Sequence, residues 1–139
     1  MRKVWFVRIA LACLVIYSCA TGITTPQTVT AVHRLRAAEA RGDRLFHDPN
    51  LGTNHRSCNS CHTDGGRFSH RLGLHRIPSL VGVKTAYPRV TAKGRIQTLE
   101  AQINDCLVER MHGHPLSATS PQLALLDLYL RHLSRFHER

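Results

Sequence analysis

The sequence predicts an all-α domain with about three main helices joined by long loops. Three observations carry that reading. Apolar residues recur at helical spacing in three stretches, 32–45, 98–111 and 121–136. No segment alternates apolar and polar residues as a half-buried strand would. Cys58-Asn59-Ser60-Cys61-His62 is a C-x-x-C-H motif, the spacing that attaches a c-type haem, so one buried macrocycle can serve the helices as a core. Size makes that useful, because 139 residues with 6% aromatics build only a thin core from side chains.

Residues 1–20 read as an export signal. Arg2, Lys3 and Arg8 form a basic start, and Ile9 to Tyr17 is an unbroken apolar run. That run falls well short of the roughly twenty residues needed to span a hydrocarbon core, so it is a secretory segment and not an anchor. Ser18-Cys19-Ala20 offers small residues for cleavage after Ala20. Ile16-Tyr17-Ser18-Cys19 is a loose lipobox, which would tie the chain to a membrane only if Cys19 were lipidated; the bulky Tyr17 weighs against it. Either route leads to the periplasm, where covalent haem attachment takes place in bacteria. Residues 21–36 then form a linker and the start of the first helix, and 37–139 a monohaem domain.

The first helix is expected over Val32 to Leu45, with Val32, Leu35, Ala38 and Leu45 inward. Asp48-Pro49-Asn50-Leu51-Gly52 ends it with turn chemistry. Thr63 to Lys93, broken by glycine and proline, reads as a loop over the haem with at most a helical turn. The second helix covers Thr98 to Met111 and sets Leu99, Ile103, Cys106, Leu107 and Arg110 on one face, until Gly113 and Pro115 stop it. Ser120-Pro121 reads as N-cap and first residue of the last helix. That helix runs to about Phe136 and buries Leu123, Leu126, Tyr129, Leu130 and Leu133.

The motif itself demands that one turn of backbone present two thiols and an imidazole to a single group. Cys58 and Cys61 are the attachment thiols and His62 the proximal iron ligand. A zinc site would need a second Cys or His pair at similar spacing, and His112 and His114 stand too close together to supply it. His47, His55, His70 and His75 flank the motif as solvated loop residues.

Without the signal's three cations the chain keeps 16 Lys and Arg against 9 Asp and Glu. They are scattered, form no nucleic-acid motif, and exclude a nucleic-acid partner outside the cytoplasm. Such a surface attracts small anions or an acidic redox partner, or is simply solvated. Of the five cysteines, Cys13 and Cys19 belong to the signal region, Cys58 and Cys61 hold haem, and Cys106 is left over. A leftover thiol in an oxidising compartment is a buried structural residue, half of an intermolecular disulfide, or an iron ligand. Met111 is the rival ligand; five residues beyond Cys106, it is expected on another helical face.

At this point the chain resembles a family. Three helices around one C-x-x-C-H resemble a class I cytochrome c fold, and Gly42-x-x-Leu45-Phe46 matches its first-helix motif, which crosses the last helix near Tyr129-Leu130. More specifically, Leu51-Gly52-Thr53-Asn54 before the motif, Leu80-Val81-Gly82-Val83, Tyr87-Pro88, Gly94-Arg95, and Thr98 to Cys106 followed by Arg110-Met111-x-Gly113-x-Pro115-Leu116 resemble the thiosulfate dehydrogenase (TsdA) and SoxA cytochromes. The resemblance spans about Ala37 to Ser134.

It implies that Cys106 is the distal ligand of a His62/Cys106 haem, with a reduction potential below that of a His/Met cytochrome. It also implies a thiosulfate-oxidising subunit, in which Cys106 places a soft sulfur beside the iron. A sulfur oxyanion beside a haem needs fixed positive charge, and Arg67, Arg89 and Arg95 are the candidates; pairing with haem propionates or with solvent is the alternative for each. Joining two thiosulfates into tetrathionate releases two electrons, whereas one haem takes one. A monohaem chain therefore needs a partner cytochrome, a second monohaem subunit, or two encounters. A simple electron carrier and a haem-based sensor of sulfide or nitric oxide are the other readings.

Overall fold

Helix caps and close glycine crossings set the architecture seen in the computed structural model, which describes residues 26–135. The expected export signal, Cys13, Cys19 and Phe136 lie outside the described residues. Two units divide between Arg34 and Leu35, inside helix α1 (Pro26–Phe46). That helix starts six residues before the expected Val32. Its opening proline lacks only an N–H that the first turn leaves unpaired anyway, and Thr30 Oγ1 donates to the Pro26 carbonyl at 2.9 Å. Val32 and Leu35, expected inward, are 42% and 41% exposed. The buried stripe of α1 is instead Glu39, Gly42 and Phe46.

Three further helices follow: α2 (Cys58–Cys61), α3 (Leu99–Met111) and α4 (Pro121–Ser134). Of the caps of the two longer ones, Ser120 is as expected, whereas Thr98, expected inside the helix, caps it instead. Thr98 accepts from the Ala101 N–H at 3.2 Å, and Ser120 accepts from the Leu123 N–H at 3.1 Å with Pro121 behind it. His112 closes α3 in the left-handed region, which lets the Gly113 N–H reach back to the Leu107 carbonyl at 2.9 Å.

The core of the 35–135 unit is Phe46 with Leu99, Ile103, Leu107 and Met111 of α3 and Leu123, Leu126, Tyr129, Leu130 and Leu133 of α4. Gly42 lets α1 cross α4 at close range, since a Cβ there would stand 2.2 Å from the Leu125 carbonyl oxygen. The rings of Phe46 and Tyr129 meet at 5.1 Å. Glu39 is buried but paired, with Arg135 and with His132 Nδ1 at 3.2 Å.

The absence of strands does not hold. Inside the expected loop, β1 (His70–Leu72) pairs antiparallel with β2 (His75–Ile77), and β3 (Arg89–Val90) pairs with β4 (Ile96–Gln97), which lies just beyond it. Strands of two or three residues are too short to show a period, so only the turn glycines Gly73 and Gly94, both at positive φ, could have signalled them.

Candidate haem-binding site

One short helix carries the attachment motif. Ser57 stands at its N-cap, its N–H donating to Ser60 Oγ at 3.0 Å, and the His62 N–H donates to the Cys58 carbonyl at 2.9 Å. That single turn delivers Cys58, Cys61 and His62 to the wall of a cavity of about 540 Å³, within the range of cofactor pockets. The His62 ring is steered from behind: a carbonyl can only accept, so Nδ1 donates to the Pro78 carbonyl at 3.3 Å. This leaves Nε2 with its lone pair, the state an iron ligand needs. Burial pushes the His62 pKa down, which also favours the neutral ring.

The turn after the motif is pinned from two sides. Gly65 and Gly66 adopt positive φ. The Gly65 N–H donates to Asn59 Oδ1 at 2.9 Å, and its carbonyl accepts from the Tyr129 hydroxyl of α4 at 2.8 Å. Gly66 in turn accepts from the Leu80 N–H at 2.8 Å, drawing Leu80 to Val83 onto the cavity wall.

Helix α3 brings Cys106 to the same cavity, together with Leu99, Gln102, Ile103, Arg110 and Met111. Cys106 and Met111 thus share a wall although five residues separate them: the helical wheel separates their directions, but the cavity is wide enough to meet both. Burial pushes the Cys58 thiol up to about 12, and its neighbour Cys106 adds to the effect. Burial also raises the Cys106 thiol, against a hydrogen bond from Gln102. Gln102 Nε2 donates to Cys106 Sγ at 3.4 Å, while its Oε1 accepts from the Tyr87 hydroxyl at 3.2 Å and from Arg89 Nη2 at 3.0 Å.

The three expected arginines part company. Arg89 lines the cavity and lies over the Tyr87 ring at 4.8 Å. Arg67 donates to the Asp64 carbonyl at 3.0 Å, Arg95 is exposed beside the turn glycine Gly94, and neither lines the cavity. Arg56 and Arg110 do line it, and the sequence reading gave neither this role. Arg110 was findable, standing four residues after Cys106 on the same helical face. So was Gln102, four residues before it. No histidine among the described residues other than His62 reaches the cavity lining. Among the described residues no three His, Cys, Asp or Glu side chains gather to hold a metal ion by themselves.

This donor set fits a c-type haem. Two thiols and an imidazole come from one turn, a further sulfur comes from α3, and Leu80, Val81, Val83, Leu99 and Ile103 supply an apolar lining.

A family model described as the SoxA/TsdA cytochrome c domain matches residues 41–138. A thiosulfate dehydrogenase from Psychrobacter arcticus is 28% identical over 88 residues, covering 63% of this chain and 25% of its own length. The crystal structure of SoxXA from P. pantotrophus superposes with a TM-score of 0.57 at 25% identity, over 71% of this chain and 33% of that one. Thiosulfate dehydrogenase TsdBA from Marichromatium purpuratum, in its as-isolated form, gives 0.59 at 22% identity, over 72% and 23%. The chain thus spans a third or less of the relatives it matches, and its fold is that of a class I cytochrome c domain.

Proposed function

This chain belongs to the SoxA/TsdA cytochrome c domain family, and from that premise we propose that it is an exported haem c domain of sulfur-compound oxidation. Cys58 and Cys61 would tether the haem, His62 would offer Nε2 to the iron, and Cys106 would offer its sulfur as a second ligand. The haem, when bound, supplies one-electron acceptance. The protein's part is to hold a small sulfur oxyanion such as thiosulfate beside Cys106 and to exclude water with the apolar lining. The observation that carries this reading is that Cys106 lines the same cavity as Cys58, Cys61 and His62. Arg56, Arg89 and Arg110 supply positive charge on that wall; Arg67 and Arg95 are left to attract the anion from outside it.

A redox partner cytochrome, or a second monohaem subunit, is needed to take the electrons away. Residues 65–98 hold seven of the chain's Lys and Arg and no Asp or Glu. They also expose Phe68, Leu72, Leu74, Val90 and Ile96. Such a face suits an acidic protein surface.

The test is spectroscopic. Acidic acetone should leave the colour on the mature protein, and haem leaving with the solvent would refute covalent attachment. EPR of the oxidised protein should show a low-spin thiolate signature, and thiosulfate should reduce it. A second reading, an electron carrier with His62/Met111 ligation, draws on Met111 lining the same cavity. A His/Met spectrum with no reduction by thiosulfate would select it.

A further inference from the structure

We propose that Gln102 is a positioning residue for the Cys106 sulfur, its amide locked by Arg89 and Tyr87 so that an N–H always faces Sγ. The inference rests on the reading of Cys106 as an axial ligand and deepens it.

The lock follows from which atoms can donate. Gln102 Oε1 receives the Tyr87 hydroxyl at 3.2 Å and Arg89 Nη2 at 3.0 Å. Both partners are donors, so the oxygen must face them and Nε2 must face Cys106, at 3.4 Å. Flipping the amide would set N–H against N–H on one side and leave the sulfur without its donor.

Arg89 is itself held on three sides. Its Nε donates to Gln97 Oε1 at 3.0 Å, its Nη2 reaches Gln102, and its guanidinium rests on the Tyr87 ring. Gln97, its cross-strand partner in the β3–β4 pair, donates through Nε2 to Asp105 Oδ2 at 2.7 Å. The network therefore leaves α3 at Gln102, passes through the second hairpin, and returns to α3 at Asp105, next to Cys106. This gives the hairpin a purpose: its short ladder sets Arg89 and Gln97 side by side.

The consequence is electronic. An oriented N–H, with a guanidinium behind it, stabilises negative charge on the sulfur and so weakens its donation to iron. Hydrogen bonds to a ligand sulfur are one of the levers that set a centre's potential. Gln102 should therefore hold the potential above what bare thiolate ligation would give.

Gln102→Glu is the informative variant, because a carboxylate still accepts from Tyr87 and Arg89 but cannot donate to Cys106. Gln102→Leu removes the donor without adding charge, and Arg89→Ala frees the amide to rotate. The measurements, made on the haem-loaded protein, are the midpoint potential and the EPR g-values of the oxidised state. Both Gln102 variants are expected to lower the potential and shift the g-values, and Arg89→Ala to do so partially. In a Cys106→Met background the shift should shrink, because a thioether accepts hydrogen bonds poorly. Equal shifts in both backgrounds, or none in either Gln102 variant, would overturn the role of Gln102 alone. An oxidised spectrum unchanged by Cys106→Met itself would overturn the ligand reading and this inference with it.

Discussion

Tyr129 donates its hydroxyl proton to the Gly65 carbonyl at 2.8 Å, bridging 64 residues of sequence. The bond fixes the turn that follows His62, so a residue of the last helix steadies the cavity wall beside His62. Burial pushes the Tyr129 phenol up to about 12, and the nearby Asp43 carboxylate adds to the effect. The folded chain therefore holds this proton more tightly than the unfolded one, whose phenol titrates near 10. Stability from Tyr129 is complete below about pH 10 and is lost as the pH rises through the folded value of about 12. Tyr129→Phe is expected to cost about 1–3 kcal/mol, since it leaves a buried carbonyl without its partner. It should also flatten the alkaline limb of a plot of urea stability against pH. An alkaline limb as steep as that of the parent would show that Tyr129 is not the group responsible.

The helices are fastened to one another by close backbone approaches and by polar side chains. Gly42 is the contact point of α1 and α4, where a Cβ would also stand 2.8 Å from Tyr129 Cβ. Gly42→Ala must therefore push the helices apart, and a loss of at least about 1–3 kcal/mol is expected in denaturant unfolding. An Ala variant as stable as the parent would mean that the crossing is looser than it stands. Asn104 does similar work on α3. It donates Nδ2 to the Leu116 carbonyl at 3.0 Å and accepts from the Leu116 N–H at 2.8 Å, tying the segment after α3 back to the helix that carries Cys106. Asn104→Leu strands both groups of Leu116 and should cost about 1–3 kcal/mol. Hydrogen exchange should then speed up at Leu116 before it does along α3.

Across the molecule, the cations that bear on the proposed function stand in two places. Arg56, Arg89 and Arg110 line the cavity, while Arg71 and Arg76 of the β1–β2 hairpin stand exposed and away from the lining. Arg56→Gln and Arg110→Gln are expected to raise the KM for thiosulfate while leaving electron transfer to an acidic partner nearly unchanged. Arg71→Glu with Arg76→Glu should do the reverse, slowing the partner reaction. Raising the salt should slow it too, because exposed charges are screened over about 10 Å at 0.1 M ionic strength. Stopped-flow reduction measured against ionic strength separates the two sets. A partner reaction indifferent to both salt and charge reversal would remove the case for docking on residues 65–98.

The sequence by itself determined whatever is decided within a few residues. The C-x-x-C-H turn, the Ser120 cap, the stop at Gly113, the buried Leu99, Ile103 and Leu107 of α3 and the buried stripe of α4 are local matters of spacing and propensity. Gly42 against Tyr129 was legible only through resemblance. The tertiary structure alone decided which side chains from distant segments share a cavity. It brought Cys106 and Met111 to the wall that holds Cys58 and His62, kept Arg89 there, and left Arg67 and Arg95 outside. It also turned Val32 and Leu35 outward, buried Glu39 with its partners, and folded two hairpins too short to carry a period. The orientation of the Gln102 amide belongs to the same class. Burial and directed hydrogen bonds depend on what the rest of the chain brings near, and periodicity along one element says nothing about what will stand opposite it.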